Sequence, residues 1–180
     1  MSYRPITDTW ILARPKAYYY GAYPLGFLER ARALLGVSIQ DSVLHICSGM
    51  IVRYPYRGFG KADETLDLDR RLNPDHCQDC RSPWPQNSLG AGWRAILADP
   101  PYTEDDAAHY EPGALKLPSA RELVVLAADA LRVGGRFGLL HYIWPKPPKN
   151  MRSVAAISVL MGFNNRIRIY SVYEKTGETE

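Results

Sequence analysis

The chain has 180 residues, 46% of them hydrophobic and 23% charged, and a formal net charge of +3. This length and balance predict one globular domain, residues 1–180, and exclude a disordered or fibrous protein. The longest helix-like apolar stretch is too short to span a bilayer, and the first residues lack the apolar core of a signal peptide. We therefore expect a cytoplasmic protein without a membrane partner, and its slight positive charge favours polyanions.

The chain contains three cysteines, Cys47, Cys77 and Cys80, which are too few for a disulfide framework. Cys77 and Cys80 form a CxxC pair beside His76. A structural zinc site needs four ligands, and the sequence has no second CxxC or HxxxH to complete one. We therefore predict neither disulfides nor a bound metal ion.

In the N-terminal half, the sequence predicts few regular elements. Residues up to about 22 are rich in Pro, Tyr and Arg and are expected to be irregular. Apolar residues at three- and four-residue spacing predict a helix over 25–35 that ends at Gly36. Strands are expected over 43–47 and 65–68. The segment between them contains Pro and Gly and is a poor helix candidate, so the first crossover helix is expected to be shortened or missing.

In the C-terminal half, helices and strands are expected to alternate. The helix from Ser119 is expected to begin with a capping box, because Glu122 follows Ser119 at the required spacing. The expected strands are 94–98, 136–143 and 167–173, and the expected helices are 104–110, 119–132 and 153–161. This alternation predicts an α/β protein with a single doubly wound, mostly parallel sheet.

The tetrapeptide Asp99-Pro100-Pro101-Tyr102 directly follows one of these strands. In open α/β sheets, ligands bind just beyond the carboxyl ends of the strands. The two prolines fix φ and remove two backbone donors, which leaves a rigid loop with free carbonyl groups. Asp99 and the Pro100 carbonyl can accept hydrogen bonds from an exocyclic amine while Tyr102 stacks on its ring. The alternative is a structural Pro-Pro turn at the end of a strand.

Further polar and small residues follow the other predicted strands. The strand over 43–47 ends in a turn at Ser48-Gly49, where the glycine permits a ligand to approach the backbone. Asp67 and Asp69 come about 20 residues later, which is the spacing of an acid that binds a ribose diol. These features also fit an ordinary turn and a solvated pair of acids.

Taken in order, the Gly turn, the acids after the second and third strands and the Asp-Pro-Pro-Tyr corner resemble a class I S-adenosylmethionine-dependent methyltransferase. The corner is similar to the catalytic motif of enzymes that methylate adenine N6 or cytosine N4. The resemblance covers nearly the whole chain and implies a Rossmann-like fold, with Asp99, Pro100 and Tyr102 as catalytic residues. The sequence departs from the family pattern at Met50 and Ile51, where a second glycine is usual.

The resemblance also implies the ligands of this site. The cofactor would be S-adenosyl-L-methionine, held by Tyr20, Tyr23, His45, Cys47, Ser48, Gly49, Asp67, Asp69, Asp79 and Cys80. The acceptor would be a nucleic-acid base, most simply adenine N6 in DNA, contacted by Pro101, His141, Trp144, Lys146 and Lys149. RNA or a protein amide remains open as the acceptor, as does a non-catalytic subunit. No separate recognition domain is visible, so a homodimer or a partner that supplies specificity is expected.

Overall fold

The computed structural model describes residues 4–15, 22–53, 57–110, 116–161 and 166–177. The described helices are α1 (Phe27–Leu35), α2 (Glu104–Tyr110) and α3 (Ala120–Ala130). The strands are β1 (Ile6–Leu12), β2 (Leu44–Ile46), β3 (Glu64–Asp67), β4 (His76–Cys77), β5 (Trp93–Ala98), β6 (Leu131–His141), β7 (Met151–Met161) and β8 (Arg168–Lys175). Within these ranges, no helix is long and apolar enough to cross a membrane.

All eight strands belong to one sheet in the order β1-β7-β8-β6-β5-β2-β3-β4. Only β8 runs antiparallel, to both of its neighbours β6 and β7, and every other pair is parallel. The carboxyl ends of β2, β3, β5 and β6 therefore meet at one edge, together with the start of β8. This edge is the carboxyl edge of the sheet, and the mostly parallel sheet predicted from the sequence is confirmed.

The sheet is covered by helices on both faces. Helix α1 packs on one face through Phe27, Leu28 and Ala31, and α3 packs on the other through Leu123 and Val124. Strand β5 contributes alternate side chains to the two cores, as expected for a central strand buried on both sides. The doubly wound arrangement is confirmed, and so is the Ser119–Glu122 capping box of α3.

Several crossovers contain little or no helix in the described residues, and two of them flank the carboxyl edge near β2 and β6. Between β2 and β3, the described residues form only a 3₁₀ turn at Ile51–Arg53, which confirms the shortened first crossover. Between β6 and β7, residues 142–150 return along the α3 side without a helix. The Tyr173 hydroxyl donates to the Pro145 carbonyl at 2.8 Å, and the Met151 amide donates to the Pro148 carbonyl at 3.1 Å.

Two sequence predictions are wrong about the local structure. Residues 153–161 were expected to be helical, but they form most of strand β7. This segment lies between β1 and β8, and both of its edges are hydrogen-bonded, so tertiary context overrides its apolar helical spacing. The N-terminal stretch was expected to be irregular, yet β1 pairs in parallel with β7, with Ile6 opposite Ala155.

A buried ionic cluster joins α1, β2 and the loop before β3. The Asp63 carboxylate accepts two hydrogen bonds from the Arg32 guanidinium, at 2.8 and 3.0 Å, and others from the amides of Val43 and Gly60. The His45 Nε2 lies 3.1 Å from the same carboxylate. Burial opposes the ionised carboxylate, but the hydrogen bonds and charges outweigh it and lower the pKa of Asp63. The cluster ties α1 to the first crossover.

Candidate active site

The Asp99-Pro100-Pro101-Tyr102 corner lies at the carboxyl edge, directly after β5. The Asp99 amide donates to the Ile46 carbonyl at 3.3 Å, which ties the corner to the end of β2. Pro100 is buried, whereas Asp99, Pro101 and Tyr102 are half-buried. The corner therefore stays accessible at the position that α/β proteins use for ligands.

The turn after β2 has an unusual backbone. Cys47 has φ 55° and Gly49 has φ 52°, so the chain passes twice through the left-handed region within three residues. For a non-glycine residue such as Cys47 this conformation carries strain, which is concentrated at functional sites in proteins. Among the described residues, no atom lies within 4 Å of a Cβ atom added to Gly49, so this part of the chain leaves the space above the turn open.

Asp67, the last residue of β3, holds this turn in place. Its Oδ2 accepts a hydrogen bond from the Gly49 amide at 2.8 Å, and its Oδ1 accepts one from the Asp69 amide at 3.0 Å. Each carboxylate oxygen has a second lone pair, so Asp67 can still accept hydrogen bonds from a ligand's hydroxyl groups. The structure thus brings together Gly49 and Asp67, two residues that the sequence had separated.

Cys47 lies between the turn and the corner. Its thiol shares a hydrogen bond with the thiol of Cys80, which is buried. That hydrogen bond, burial and the nearby carboxylates of Asp67 and Asp99 raise the pKa of the Cys47 thiol. The hydrogen bonds from the Gly49 amide to Asp67 and from the Asp99 amide to the Ile46 carbonyl join the ends of β2, β3 and β5 at the carboxyl edge.

The Asp99 carboxyl has an environment that disfavours its ionised form. Burial raises its pKa from 3.8 to about 6, although the positive charge of Arg168 and a hydrogen bond from Tyr102 act in the opposite direction. The Tyr102 hydroxyl donates this hydrogen bond to Asp99 Oδ1. Among the described residues, Asp99 Oδ2 accepts no hydrogen bond, so this oxygen is available to a ligand.

Aromatic side chains surround Tyr102. Its ring lies 5.5 Å from the His141 ring in an edge-to-face arrangement and 4.6 Å from the Tyr142 ring, measured between centroids. Tyr23 stacks on Phe27 at 4.9 Å. Burial and the nearby Asp99 and Tyr102 raise the pKa of the Tyr23 hydroxyl, which shows that Tyr23 approaches the corner from the α1 side.

Several expected cofactor residues are occupied elsewhere or lie outside the description. His45 is 1% exposed and belongs to the ionic cluster around Asp63. The Asp69 carboxylate caps the 3₁₀ turn Arg70–Leu72 and pairs with Arg71 at 2.8 Å. Asp79 pairs with Arg81 at 2.5 Å, and Ser48 is buried in the turn. Tyr20 lies outside the described residues.

Lys149, an expected acceptor contact, lies on the crossover that leads into β7. The Met151 amide donates to the Pro148 carbonyl, and Met151 is paired with Lys175 at the start of β7. The segment that carries Lys149 has therefore already returned to the opposite edge, about 17 Å below the end of β6. We therefore leave Lys149 out of the proposal below.

The other expected acceptor contacts stay closer to the corner. His141 ends β6 and is buried, and burial lowers its pKa. Its Nδ1 accepts a hydrogen bond from the Ile143 amide at 3.0 Å. Trp144 is 44% exposed and follows directly, whereas Lys146 lies farther along the crossover and is exposed. In the described parts of the chain, no group of three or more His, Cys, Asp or Glu side chains is arranged to hold a metal ion.

Arg168, the first residue of β8, was not predicted to belong to the site. It is 9% exposed, and its positive charge opposes the effect of burial on the pKa of Asp99. The two-residue periodicity of the last strand could have indicated that this side chain faces the core. Arg168 shares its side of the strand with Tyr170 and Val172, both of which belong to the core on the α1 side.

No protein-family model matches the chain, and no curated protein matches it in sequence. Solved structures do share its fold. TrmN from Thermus thermophilus aligns with 87% of this chain at 18% identity and a TM-score of 0.61, and the chain spans 50% of the length of TrmN. The rRNA methyltransferase AviRa from Streptomyces viridochromogenes aligns at 13% identity and a TM-score of 0.51, with 88% of each chain covered.

A third structure was determined with a ligand. The geranyl diphosphate C-methyltransferase from Streptomyces coelicolor, in complex with S-adenosyl-L-homocysteine, aligns at 11% identity and a TM-score of 0.51. The alignment covers 83% of this chain and 79% of that enzyme. These similarities establish that the chain has the Rossmann-like fold of such methyltransferases, which confirms the predicted fold class.

Proposed function

We propose that the chain is an S-adenosyl-L-methionine-dependent methyltransferase that acts on an exocyclic amino group of a nucleic-acid base. One observation carries the proposal. The Asp67-bound Gly49 turn and the Asp99-to-Tyr102 corner lie at one edge of the sheet, and the Asp99 amide donates to the carbonyl of Ile46, three residues before Gly49. A donor held at the turn would therefore lie beside an acceptor held at the corner.

The residues at the turn suit this cofactor. The open space above Gly49 admits the methionine part of the ligand, and the Asp67 carboxylate can accept hydrogen bonds from two ribose hydroxyls. Tyr23, Cys47 and Cys80 would complete the walls of the cofactor site. When bound, S-adenosyl-L-methionine supplies a methyl group on a positively charged sulfur. His45, Asp69 and Asp79 are left out of this proposal because their side chains already have partners.

The corner suits a planar amine. An amino group attached to a heteroaromatic ring is a poor nucleophile because its lone pair is delocalised into the ring. Hydrogen bonds from its protons to Asp99 Oδ2 and the Pro100 carbonyl would favour a pyramidal nitrogen with a directed lone pair. An amine that gains a methyl group must also lose a proton, and Asp99 is placed to take it. The contribution of the rigid corner is alignment, which accounts for a large share of many enzymatic rates.

The nature of the nucleic acid is the finer part of the proposal. Adenine N6 in DNA is the first candidate, because the Asp-Pro-Pro-Tyr motif resembles that of amino-methyltransferases. RNA is the second, favoured by the fold similarity to a protein named as an rRNA methyltransferase. In a duplex, the base must leave the stack to reach a pocket at the carboxyl edge, so single-stranded segments would react more readily.

Two measurements test the proposal in sequence. Isothermal titration of the full chain with S-adenosyl-L-methionine should give saturable binding. Incubation with a methyl-labelled cofactor and a panel of single-stranded DNA, duplex DNA, RNA and protein, followed by mass spectrometry of nucleosides, should identify one methylated base. Binding without transfer to any member of the panel would instead favour a non-catalytic subunit. Absence of binding would contradict the proposal.

Asp67→Asn is expected to weaken cofactor binding. The Asn side chain can keep one oxygen as acceptor for the Gly49 amide. Its NH₂ group replaces the second oxygen, which accepts from the Asp69 amide and would accept from the ribose. Loss of a charged acceptor costs about 1.5–3 kcal/mol, which is roughly a 10- to 150-fold rise in Kd measured by titration. Asp69→Asn serves as the matched control and should change Kd by less than about threefold, because Asp69 is engaged by Arg71.

A further inference from the structure

Helix α2 begins immediately after the Asp99-to-Tyr102 corner. The Thr103 hydroxyl oxygen accepts a hydrogen bond from the Asp106 amide at 3.1 Å, and the Thr103 carbonyl accepts one from the Ala107 amide at 2.9 Å. These bonds fix the position of Asp106 relative to Tyr102, because Thr103 alone separates the corner from the helix. The Asp106 side chain is 8% exposed, and a buried carboxylate is costly unless a charged partner compensates for it.

Arg166 provides that charge and connects α2 to the end of β6. Its Nη1 lies 3.4 Å from Asp106 Oδ1 and 3.4 Å from the Tyr142 hydroxyl oxygen. This nitrogen carries two hydrogens, so it can donate to both oxygens at once. Tyr142 directly follows β6 and Arg166 precedes β8, and the two segments are neighbours because His141 pairs with Ile169. We refer to Asp106, Arg166 and Tyr142 as the clamp.

Tyr142 closes a loop of contacts around Tyr102. The ring centroids of the two tyrosines lie 4.6 Å apart, with an angle of 49° between the ring planes. From Tyr102, the loop follows the chain to Asp106, crosses Arg166 to the Tyr142 hydroxyl and returns to the Tyr102 ring. The hydrogen bond from the Tyr102 hydroxyl to Asp99 fixes one end of the ring but does not prevent rotation about its long axis. Packing against Tyr142 restrains this rotation and so helps to set the plane of the Tyr102 ring.

We propose that Arg166 is a positioning residue that acts through Tyr142 to set the plane of the Tyr102 ring, on which the acceptor base stacks. This inference rests on the proposed function, because it assigns a role within that reaction. Without the guanidinium, the Tyr142 hydroxyl loses a donor and its ring no longer supports Tyr102 in one orientation. A base stacked on a tilted ring would carry its amino group away from Asp99, and a misplacement of about 1 Å can cost about 100-fold in rate.

Arg166→Gln is expected to lower kcat/KM for the nucleic-acid acceptor by about 10- to 100-fold. The Kd of S-adenosyl-L-methionine should stay unchanged, because the clamp joins the corner to β6 and β8, whereas the Gly49 turn lies on the β2 side of β5. Arg166→Lys should restore most of the activity, since both bonds come from one nitrogen that an ammonium group can replace. Assays at pH 8 keep Asp99 ionised, because its pKa is about 6.

Two further variants show whether Arg166 acts through Tyr142. Tyr142→Phe removes the hydroxyl and keeps the ring, and it should reduce kcat/KM in the same way. The double variant with Arg166→Gln should be no slower than the slower single variant, because both changes break one link. Arg94→Gln is the matched control, since the Arg94 side chain is 49% exposed and pairs with Asp41 at 3.0 Å. Wild-type kcat/KM in Tyr142→Phe, or multiplied losses in the double variant, would overturn the inference.

A measurement that does not depend on activity separates this inference from the proposed function. In the full chain with ¹³C-labelled tyrosine rings, the Tyr102 signals, assigned from Tyr102→Phe, are sensitive to the ring currents of Tyr142 and His141. They should shift in Arg166→Gln and return in Arg166→Lys. A shift without methyl transfer to any nucleic acid would support the link from Arg166 to Tyr102 and contradict only the proposed function. Unchanged signals in a folded Arg166→Gln protein would refute the link, and an active wild type would then leave the proposed methyl transfer intact.

Discussion

Asp99→Asn is expected to reduce methyl transfer by at least about 100-fold while leaving cofactor affinity nearly unchanged. The Asn side chain retains the shape of Asp and an oxygen for the Tyr102 hydroxyl. It lacks the negative charge that attracts the amine and accepts its proton. Proton transfer to a positioned side chain typically contributes a factor of about 10²–10⁴ to the rate. Single-turnover transfer with labelled cofactor would measure the loss, and titration would measure the affinity. Turnover close to the wild-type rate would contradict the role of Asp99.

The same variant is expected to be more stable than the wild type at neutral pH. Burial raises the pKa of Asp99 to about 6, so ionisation is less favourable in the folded protein than in the unfolded chain. Above pH 6, the ionised Asp99 carboxylate lowers the free energy of unfolding of the wild type by about 1–3 kcal/mol. The lower values apply because Asp99 is partly exposed. The cost is absent below about pH 4, where the carboxyl is protonated in both states.

Urea unfolding at pH 4 and pH 7.5 would detect this difference. Asp99→Asn should exceed the wild type in stability at pH 7.5, and the gap should close at pH 4. Asp8→Asn is a matched control, because Asp8 is exposed on β1 and its carboxylate accepts a hydrogen bond from the neighbouring Thr9 amide. An equal gain in both variants would show that the effect is not specific to the corner.

Asp63→Asn is expected to lower the free energy of unfolding by about 3–5 kcal/mol. The Arg32 guanidinium is 4% exposed, and its charge is compensated by the Asp63 carboxylate. Removing that charge leaves a buried cation with backbone carbonyls but without its counter-ion, and the amides of Val43 and Gly60 each lose a charged acceptor. Urea unfolding followed by circular dichroism would measure the loss.

An exposed ion pair provides the comparison for this variant. Arg94 pairs with Asp41 at 3.0 Å, and the Arg94 side chain is 49% exposed, so Arg94→Ala should cost less than about 1 kcal/mol. A similarly small loss in Asp63→Asn would mean that the cluster is not important for stability.

The stabilisation that Asp63 provides should depend on pH in a definite direction, because folding lowers the pKa of this carboxyl. Its contribution is therefore complete above about pH 4 and is lost at more acidic pH.

The parts of the site that the sequence predicted are those set by local chain geometry. A strand that ends in Asp99-Pro100-Pro101-Tyr102 places the corner at the carboxyl edge, since both of its neighbours, β2 and β6, run in the same direction. The Gly49 turn and Asp67 followed from the same argument. Helix α3 was predicted because its capping box is encoded within four residues.

The parts that could not be predicted depend on contacts between distant residues. The apolar spacing of 153–161 fits a helix as well as a buried strand, and only pairing with β1 and β8 decides between them. Arg168, whose charge acts on the pKa of Asp99, lies in the last strand of the sheet, so no local pattern in the sequence connects the two residues.

The pairing of β1 with β7 has a consequence for the order in which the molecule assembles. Ile6 meets Ala155, so the first strand can dock only after nearly the entire polypeptide has collapsed. Closing so long a loop is entropically costly and slow. The outermost strand of the sheet is therefore expected to be the last to join during folding and, lying at an edge, the first to detach when the protein is stressed.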